Sequence, residues 1–341
     1  YDKENDYYAT VYGAGYGKDT WAQYTEVNLN NTAKVFEVYG GGQLGRVMNK
    51  KSVDAWKAQE DAQSQQDNPD APVIINIALE GGYTDQDLAS NLATYKYNTN
   101  VRINQGATVS GYIYNGDLSG AYAYGGGLGS NTIENAGDVH GTTFIGLYGG
   151  RVVKDIYAAG TIGSVNNRYN VETDDFDRPF VATTNAYIEG GTTRNVYGGG
   201  WKGSVGYHPG TISDTYQNDI YGATNVIIGI SEDKLAAAPA GDKDYYFYHG
   251  IPTVERNAYA GGEGGGVFGT ANVTLYNGYI GYTYNAGGSD DLETENINER
   301  YEEKLDDETR KDGVLGTLDD SGCIFGGGYI DNSNVDITNV D

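Results

Sequence analysis

The chain has one cysteine, Cys323, one methionine, six prolines and three histidines among its 341 residues. A lone thiol closes no internal disulfide, so cross-links do not hold this fold and the compartment cannot be read from them. His140, His208 and His249 stand far apart in sequence, and none has a second ligand at zinc-like spacing. Each is expected to be structural. No apolar run approaches the ~20 residues that cross a bilayer, so no transmembrane segment is expected in this chain. The chain begins at Tyr1 with no signal-like segment, and reads as a mature or excised piece of a longer product.

Basic residues are scarce too. Lys and Arg total 22 against 47 Asp and Glu, giving a formal charge of -25 and a pI near 4.3. Phosphate backbones and anionic membranes require the opposite balance, so no nucleic-acid partner is expected. An acidic surface keeps a protein soluble and can gather divalent cations; solvation is its more ordinary role.

What is abundant is glycine, 52 residues, and tyrosine, 32. The glycines do not follow a Gly-X-Y period, which excludes collagen. Short β-branched and aromatic runs such as 73–77 and 225–228 separate them, and these can bury enough surface to offset the entropy of ordering.

Internal repetition organises the chain. Its clearest unit joins Thr184, Asn185, Ala186, Tyr187 and Ile188 to Val196-Tyr197-Gly198-Gly199-Gly200 and then to Gly203-Ser204-Val205-Gly206. Related pieces are Phe144-Ile145 with Ile156-Tyr157-Ala158-Ala159-Gly160, and Asn272-Val273-Thr274-Leu275 with Tyr284-Asn285-Ala286-Gly287. Partial copies follow Tyr12, Tyr39, Tyr124, Tyr259 and Phe325. Spacings of 27 residues from Tyr12 to Tyr39 and 25 from Tyr259 to Tyr284 predict a base rung of about 25 residues, with insertions filling the longer gaps.

The expected fold is all-β, a single parallel β-helix (β-solenoid) over 1–341. Each rung has an alternating strand, a glycine corner, a short strand ending at the motif tyrosine, and a Gly-rich bend. Stacked rungs pair every strand edge except at the ends. Glycine would supply positive φ and a missing side chain at corners, and the motif aromatics would stack from rung to rung. Insertions are expected near 51–71, 82–100, 167–182, 207–255 and 289–320. Helical pattern appears at 84–95 behind a capping box and at 295–311, 52–66 reads as a short lateral helix or a loop, and 167–179 and 231–244 read as acidic or polar loops.

The Val-Tyr-Gly-Gly-Gly units with intervening Thr-Asn-x-x-Ile strands resemble the repeats of secreted bacterial β-helix proteins, which include autotransporter-like adhesins and surface proteins of anaerobic gut bacteria. The likeness covers most of the chain outside the insertions. It implies right-handed winding and an extracellular, bacterial cell-surface location.

That class also contains polysaccharide lyases and hydrolases, which need paired carboxylates or acidic ligands beside a base. Here the carboxylates lie mostly in insertions, no Asp recurs at one point of successive rungs, and the nine arginines do not cluster with them. No catalytic or cofactor-binding residue is therefore assigned, and the chain is expected not to be an enzyme. Calcium is the one cofactor considered, with Asp174, Asp175 and Asp177 as candidate ligands and Asp290 and Asp291 next. No EF-hand or Gly-Gly-x-Gly-x-Asp spacing supports them, and solvated loops are the plainer reading. The segment 13–20 looks superficially like a phosphate loop, misses the glycine-to-lysine spacing, and is assigned to a corner.

The expected function is a non-enzymatic structural or adhesive module, taking a cell-surface, matrix or glycan ligand. One alternative is a filament or surface-array subunit pairing end to end with its copies, because the strand-like ends near 7–12 and 334–340 carry no polar cap. The other is a polysaccharide lyase or hydrolase. Specific function is expected in the insertions rather than in the rungs.

Overall fold

The computed structural model describes residues 8–48, 97–114, 117–133, 135–166, 169–170, 175–176, 181–206, 222–237, 252–281, 322–329 and 335–340. The helical readings at 52–66, 84–95 and 295–311, and His208, His249, Asp174, Asp177, Tyr284, Asp290 and Asp291 lie outside the described residues.

The described chain is nearly all β, with parallel sheets. Seven two-residue strands form a tyrosine sheet: Val11–Tyr12, Val38–Tyr39, Ala123–Tyr124, Ile156–Tyr157, Val196–Tyr197, Ala258–Tyr259 and Ile324–Phe325. They pair parallel in that order, aromatic opposite aromatic. A long sheet pairs Thr25–Leu29, Thr99–Asn104, Thr142–Val152, Ala182–Thr193, Gly222–Ile228, Val267–Leu275 and Val335–Val340, again parallel and in chain order. A third, short sheet joins Trp21–Ala22, Arg46–Val47, Val139–His140 and Val165–Asn166, and continues through single bridges at Val205 and Val267.

Alternation explains how these residues take their places. Adjacent side chains in a strand point to opposite faces, so in each Val-Tyr pair the aliphatic residue turns inward and the tyrosine outward. Val38, Ile156, Val196 and Ala258 meet Val101, Ile145, Ile188, Val226 and Val273 of the long sheet in one core. Full burial of each such aliphatic chain contributes about 1.5–3 kcal/mol. A second cluster, Val47, Val139, Val165, Val205 and Val267, fills the corner under the short sheet.

A row of threonines ties two sheets together through the interior. Thr25, Thr99, Thr143, Thr184 and Thr224 occupy one register position of the long sheet. Each hydroxyl donates to a backbone carbonyl just beyond the tyrosine sheet, on Gly40, Gly125, Ala158, Gly198 and Ala260 respectively, at 2.5–2.6 Å. One position along the same strands, Asn185, Asn225, Asn272 and Asn339 link side chain to side chain at 2.8–3.2 Å.

The aromatic stack forms as expected. Rings from Tyr12 through Tyr39, Tyr124, Tyr157, Tyr197 and Tyr259 to Phe325 lie 4.7–4.9 Å apart, with planes within 15° of parallel.

Several expectations change. The partner of Tyr259 is Phe325 rather than Tyr284, so the apparent 25-residue spacing does not measure a rung, and the shortest interval between stacked rings is 27 residues. The range 207–255, expected as an insertion, carries the central strand Gly222–Ile228 and the short strand Thr253–Val254. Within 231–244, expected as a loop, the chain forms helix α1, Glu232–Ala237. Ser231 opens it by accepting the Lys234 amide on its Oγ, and the Lys234 ammonium reaches Glu189 of the long sheet at 2.5 Å. Two hairpins depart from the parallel pattern, Tyr112–Tyr114 with Asp117–Ser119 and Tyr169–Asn170 with Asp175–Phe176.

The motif glycines serve for a narrower reason than expected. Positive φ occurs late in the long strands, as at Gly149 and Gly191, or just after them, as at Gly229, and not in the clusters following the tyrosines. There the requirement is space. Alanine replaces glycine at the first or second cluster position in Ala14, Ala158, Ala159 and Ala260, whereas the third is always glycine: Gly15, Gly42, Gly127, Gly160, Gly200, Gly262 and Gly328. A Cβ on Gly160 would fall 2.4 Å from the Gly127 oxygen and 2.3 Å from that of Gly163.

Candidate functional site: the groove over the tyrosine row

The outer edge of the tyrosine row floors a groove of about 550 Å³. Tyr39, Tyr124, Tyr157, Tyr197 and Tyr259 cover one another's ring faces and are at most 4% exposed, so the floor offers phenol edges rather than open rings. Burial is the main cause that lifts the phenol pKa of Tyr39, Tyr124, Tyr157 and Tyr197 above the ordinary value, and the row therefore stays protonated.

Two register positions build the walls. One is the residue two before each motif tyrosine: Glu37, Tyr122, Asp155, Asn195 and Asn257. Their carbonyls accept the amides of the preceding strands in sequence, the Val11 amide donating to Glu37, Val38 to Tyr122, Ala123 to Asp155, Ile156 to Asn195 and Val196 to Asn257, at 3.0–3.3 Å. The other is the residue directly after each third glycine: Leu128, Thr161, Trp201, Glu263 and Tyr329. Each of these amides donates to the third-glycine carbonyl one layer earlier, at 3.0–3.1 Å. Backbone bonding thus holds both walls in fixed register while their side chains differ from layer to layer.

The first wall is a connected polar chain. Asp155 Oδ1 accepts the Asn195 amide at 3.1 Å and its Nδ2 at 2.9 Å, Asn195 Oδ1 accepts the Asn257 amide at 3.1 Å, and Asn257 Oδ1 accepts the Cys323 amide at 3.0 Å. Asn257 Nδ2 also donates to the Tyr259 hydroxyl at 3.1 Å. Arg194 closes the other end by gripping Asp155 with Nε, at 2.8 Å, and with a terminal nitrogen. Burial opposes the Arg194 charge, but the Asp155 hydrogen bonds and charge outweigh it and raise its pKa above the usual value.

Two more carboxyls meet the floor. The Tyr39 hydroxyl donates to Glu37 at 3.0 Å, and the Tyr157 hydroxyl donates to Glu263. Burial raises the pKa of both glutamates, more than their tyrosine hydrogen bonds lower it. Trp201 stands partly exposed on the second wall with the Lys202 ammonium 4.5 Å from its ring centre, and Tyr329 is 54% exposed. Arg256 completes the lining.

The groove lies where sequence reasoning did not look. Glu37 and Asp155 occur at the same point of two layers with the Tyr122 layer between them, so no acidic residue recurs there in successive layers, but Arg194 does meet Asp155. The usable signal was variation within the repeat: Glu, Tyr, Asp, Asn and Asn precede successive Val-Tyr-type pairs whose other positions hardly change.

The earlier candidates fall elsewhere. Asp175 sits on the short antiparallel strand Asp175–Phe176, while its proposed fellow ligands Asp174 and Asp177 are outside the described residues. Among the described residues no three His, Cys, Asp or Glu side chains are grouped to hold a metal ion. His140 is buried on the short sheet, where desolvation and then the Arg46 charge push its pKa down to about 4. The 13–20 segment is a corner, with the Gly13 and Ala14 amides donating to the Tyr39 and Gly41 carbonyls. Among the described residues no helix is long and apolar enough to cross a membrane. No protein-family model matches the chain, and no curated protein or solved structure matches it either.

Proposed function

We propose that the chain is a single parallel β-solenoid serving as a non-enzymatic structural and adhesive module at an extracellular bacterial surface. One observation carries this reading: three parallel sheets each run in chain order, and their repeated framework holds two freely varying rows of side chains along an open groove. Such a framework suits the display of a recognition surface, because exposed wall residues such as Trp201 and Tyr329 can change without disturbing the layers beneath them. Saturation of Asp155 by hydrogen bonds from Arg194 and Asn195 favours a structural role over a catalytic one for that carboxylate.

The test is to immobilise the purified protein and measure binding to bacterial cells, matrix proteins and polysaccharide-coated surfaces, with reducing ends and ultraviolet-absorbing products followed in parallel. Binding without product formation is the expected result. Product formation from any polysaccharide, or absence of binding to every surface, overturns the proposal.

A further inference from the structure

We propose that the groove over the tyrosine row binds a neutral glycan chain lying along the row, perpendicular to the strands, with Trp201 and Tyr329 as its stacking platforms. This inference rests on the reading of the protein as a binding module and adds the ligand class and its residues.

The floor excludes a peptide added as a strand. Strand addition needs an unpaired edge, and every strand under the groove, from Val38–Tyr39 to Ala258–Tyr259, is already paired on both sides. What the groove offers is side-chain chemistry alone.

Charge excludes a polyanion. Glu37, Asp155 and Glu263 line the groove against Arg194 and Arg256, and the Arg194 fork is occupied by Asp155. A phosphate or carboxylate polymer would face three carboxyls and find the Arg194 guanidinium engaged by Asp155, the Lys202 ammonium over the Trp201 ring and the Lys154 ammonium donating to the Leu118 carbonyl beside Tyr122.

Phenol hydroxyls, carboxyls and carboxamides exchange hydrogen bonds with a ligand that both donates and accepts at many points, as a polyhydroxylated ring does. Tryptophan and tyrosine faces add contact to the apolar C–H face of such a ring while their polar ends stay wet. The floor repeats every 4.7–4.9 Å through four successive intervals. An elongated ligand built of similar units matches that repeat better than one compact molecule does.

The experiment is affinity electrophoresis of the full chain through gels containing a β-glucan, an α-glucan, a mannan or, as the charged arm, polygalacturonate. Retardation by at least one neutral polymer is expected, with Trp201→Ala weakening it at least tenfold and Tyr329→Ala several-fold. Trp21→Ala, exposed but outside the groove lining, is expected to run as the parent does. Circular dichroism and thermal melting establish that each variant is folded, and Glu263→Gln provides a second groove variant if Trp201→Ala is not. Retardation by polygalacturonate only, by no polymer, or equally in the parent and in folded groove variants overturns the inference. If the protein still adheres to cells and soluble neutral glycan does not compete, the groove assignment fails and the adhesive reading survives; retardation without adhesion to any surface gives the reverse.

Discussion

Arg194 and Asp155 meet in a two-pronged ion pair at the middle of the groove, and the same carboxylate accepts both nitrogens of Asn195. Asp155 is 2% exposed. Removing it strands a guanidinium and two amide donors next to a buried strand end. Asp155→Ala is expected to cost about 3 kcal/mol, within the range for breaking a buried pair from one side. Urea unfolding measures it, and a loss below about 1 kcal/mol would show that water replaces the carboxylate.

The third-glycine position makes the sharper packing prediction. Gly160→Ala would place a methyl against two backbone oxygens, that of Gly127 in the preceding layer and that of Gly163 three residues on, neither of which is a flexible side-chain end. Its expected cost is about 3 kcal/mol or more. Gly327→Ala is the control, because a Cβ there meets nothing within 4 Å, and its effect should lie within about 0.5 kcal/mol. Equal melting temperatures for the two variants would contradict the close approach of successive turns.

The stacked row was legible in the sequence because two facts force it: alternation sends valine in and tyrosine out, and the following glycines let successive turns approach. Register was less legible. Tyr284 imitates a motif tyrosine, and only long-range pairing reveals that Phe325 takes the place beside Tyr259. The strand Gly222–Ile228 was visible as a β-branched run at 225–228, yet the range 207–255 around it was read as one insertion. The groove walls were hidden for the opposite reason to the floor. A repeat search rewards positions that stay constant, and Glu37, Asp155, Trp201 and Glu263 stand where the repeat varies.

The threonine row predicts a loss without a cavity. Thr184→Val keeps the shape and β preference of the side chain but withdraws the hydroxyl that donates to the Gly198 carbonyl at 2.6 Å. Leaving that interior carbonyl without its donor is expected to cost about 1–2 kcal/mol. Thr183→Val, on the opposite face of the same strand, withdraws only a half-buried hydroxyl that donates to the Val181 carbonyl at 3.1 Å, where water can replace it, and should change stability by less than about 0.5 kcal/mol. Chemical denaturation of the two variants in parallel separates the hydrogen bond from a general effect of valine.

The groove glutamates give a pH dependence of defined sign. Their folded pKa values are raised above 4.5, so the folded state holds these protons more tightly than the unfolded chain. Their contribution is fully present below 4.5 and is lost as pH rises through the higher folded values. Glu263→Gln mimics the protonated form. Relative to the parent it should gain stability as the pH rises above 4.5, and the two should converge below pH 4.5. Parallel curves across pH 4.5 would mean that Glu263 titrates as an exposed carboxyl.

His140 acts in the opposite direction. Its pKa falls from 6.5 to about 4 because burial and the Arg46 charge both disfavour the imidazolium. Between those values the unfolded chain takes up a proton that the folded state refuses, so stability is present above pH 6.5 and declines as the pH drops toward 4. The shift corresponds to about 3 kcal/mol at full extent. His140→Gln removes the titrating group, and its unfolding free energy should vary less than the parent's over this interval, leaving the glutamate contribution of opposite slope. Urea titrations at half-unit pH steps resolve the two. An imidazole whose resonances titrate near pH 6.5 in the folded protein would refute the buried neutral state.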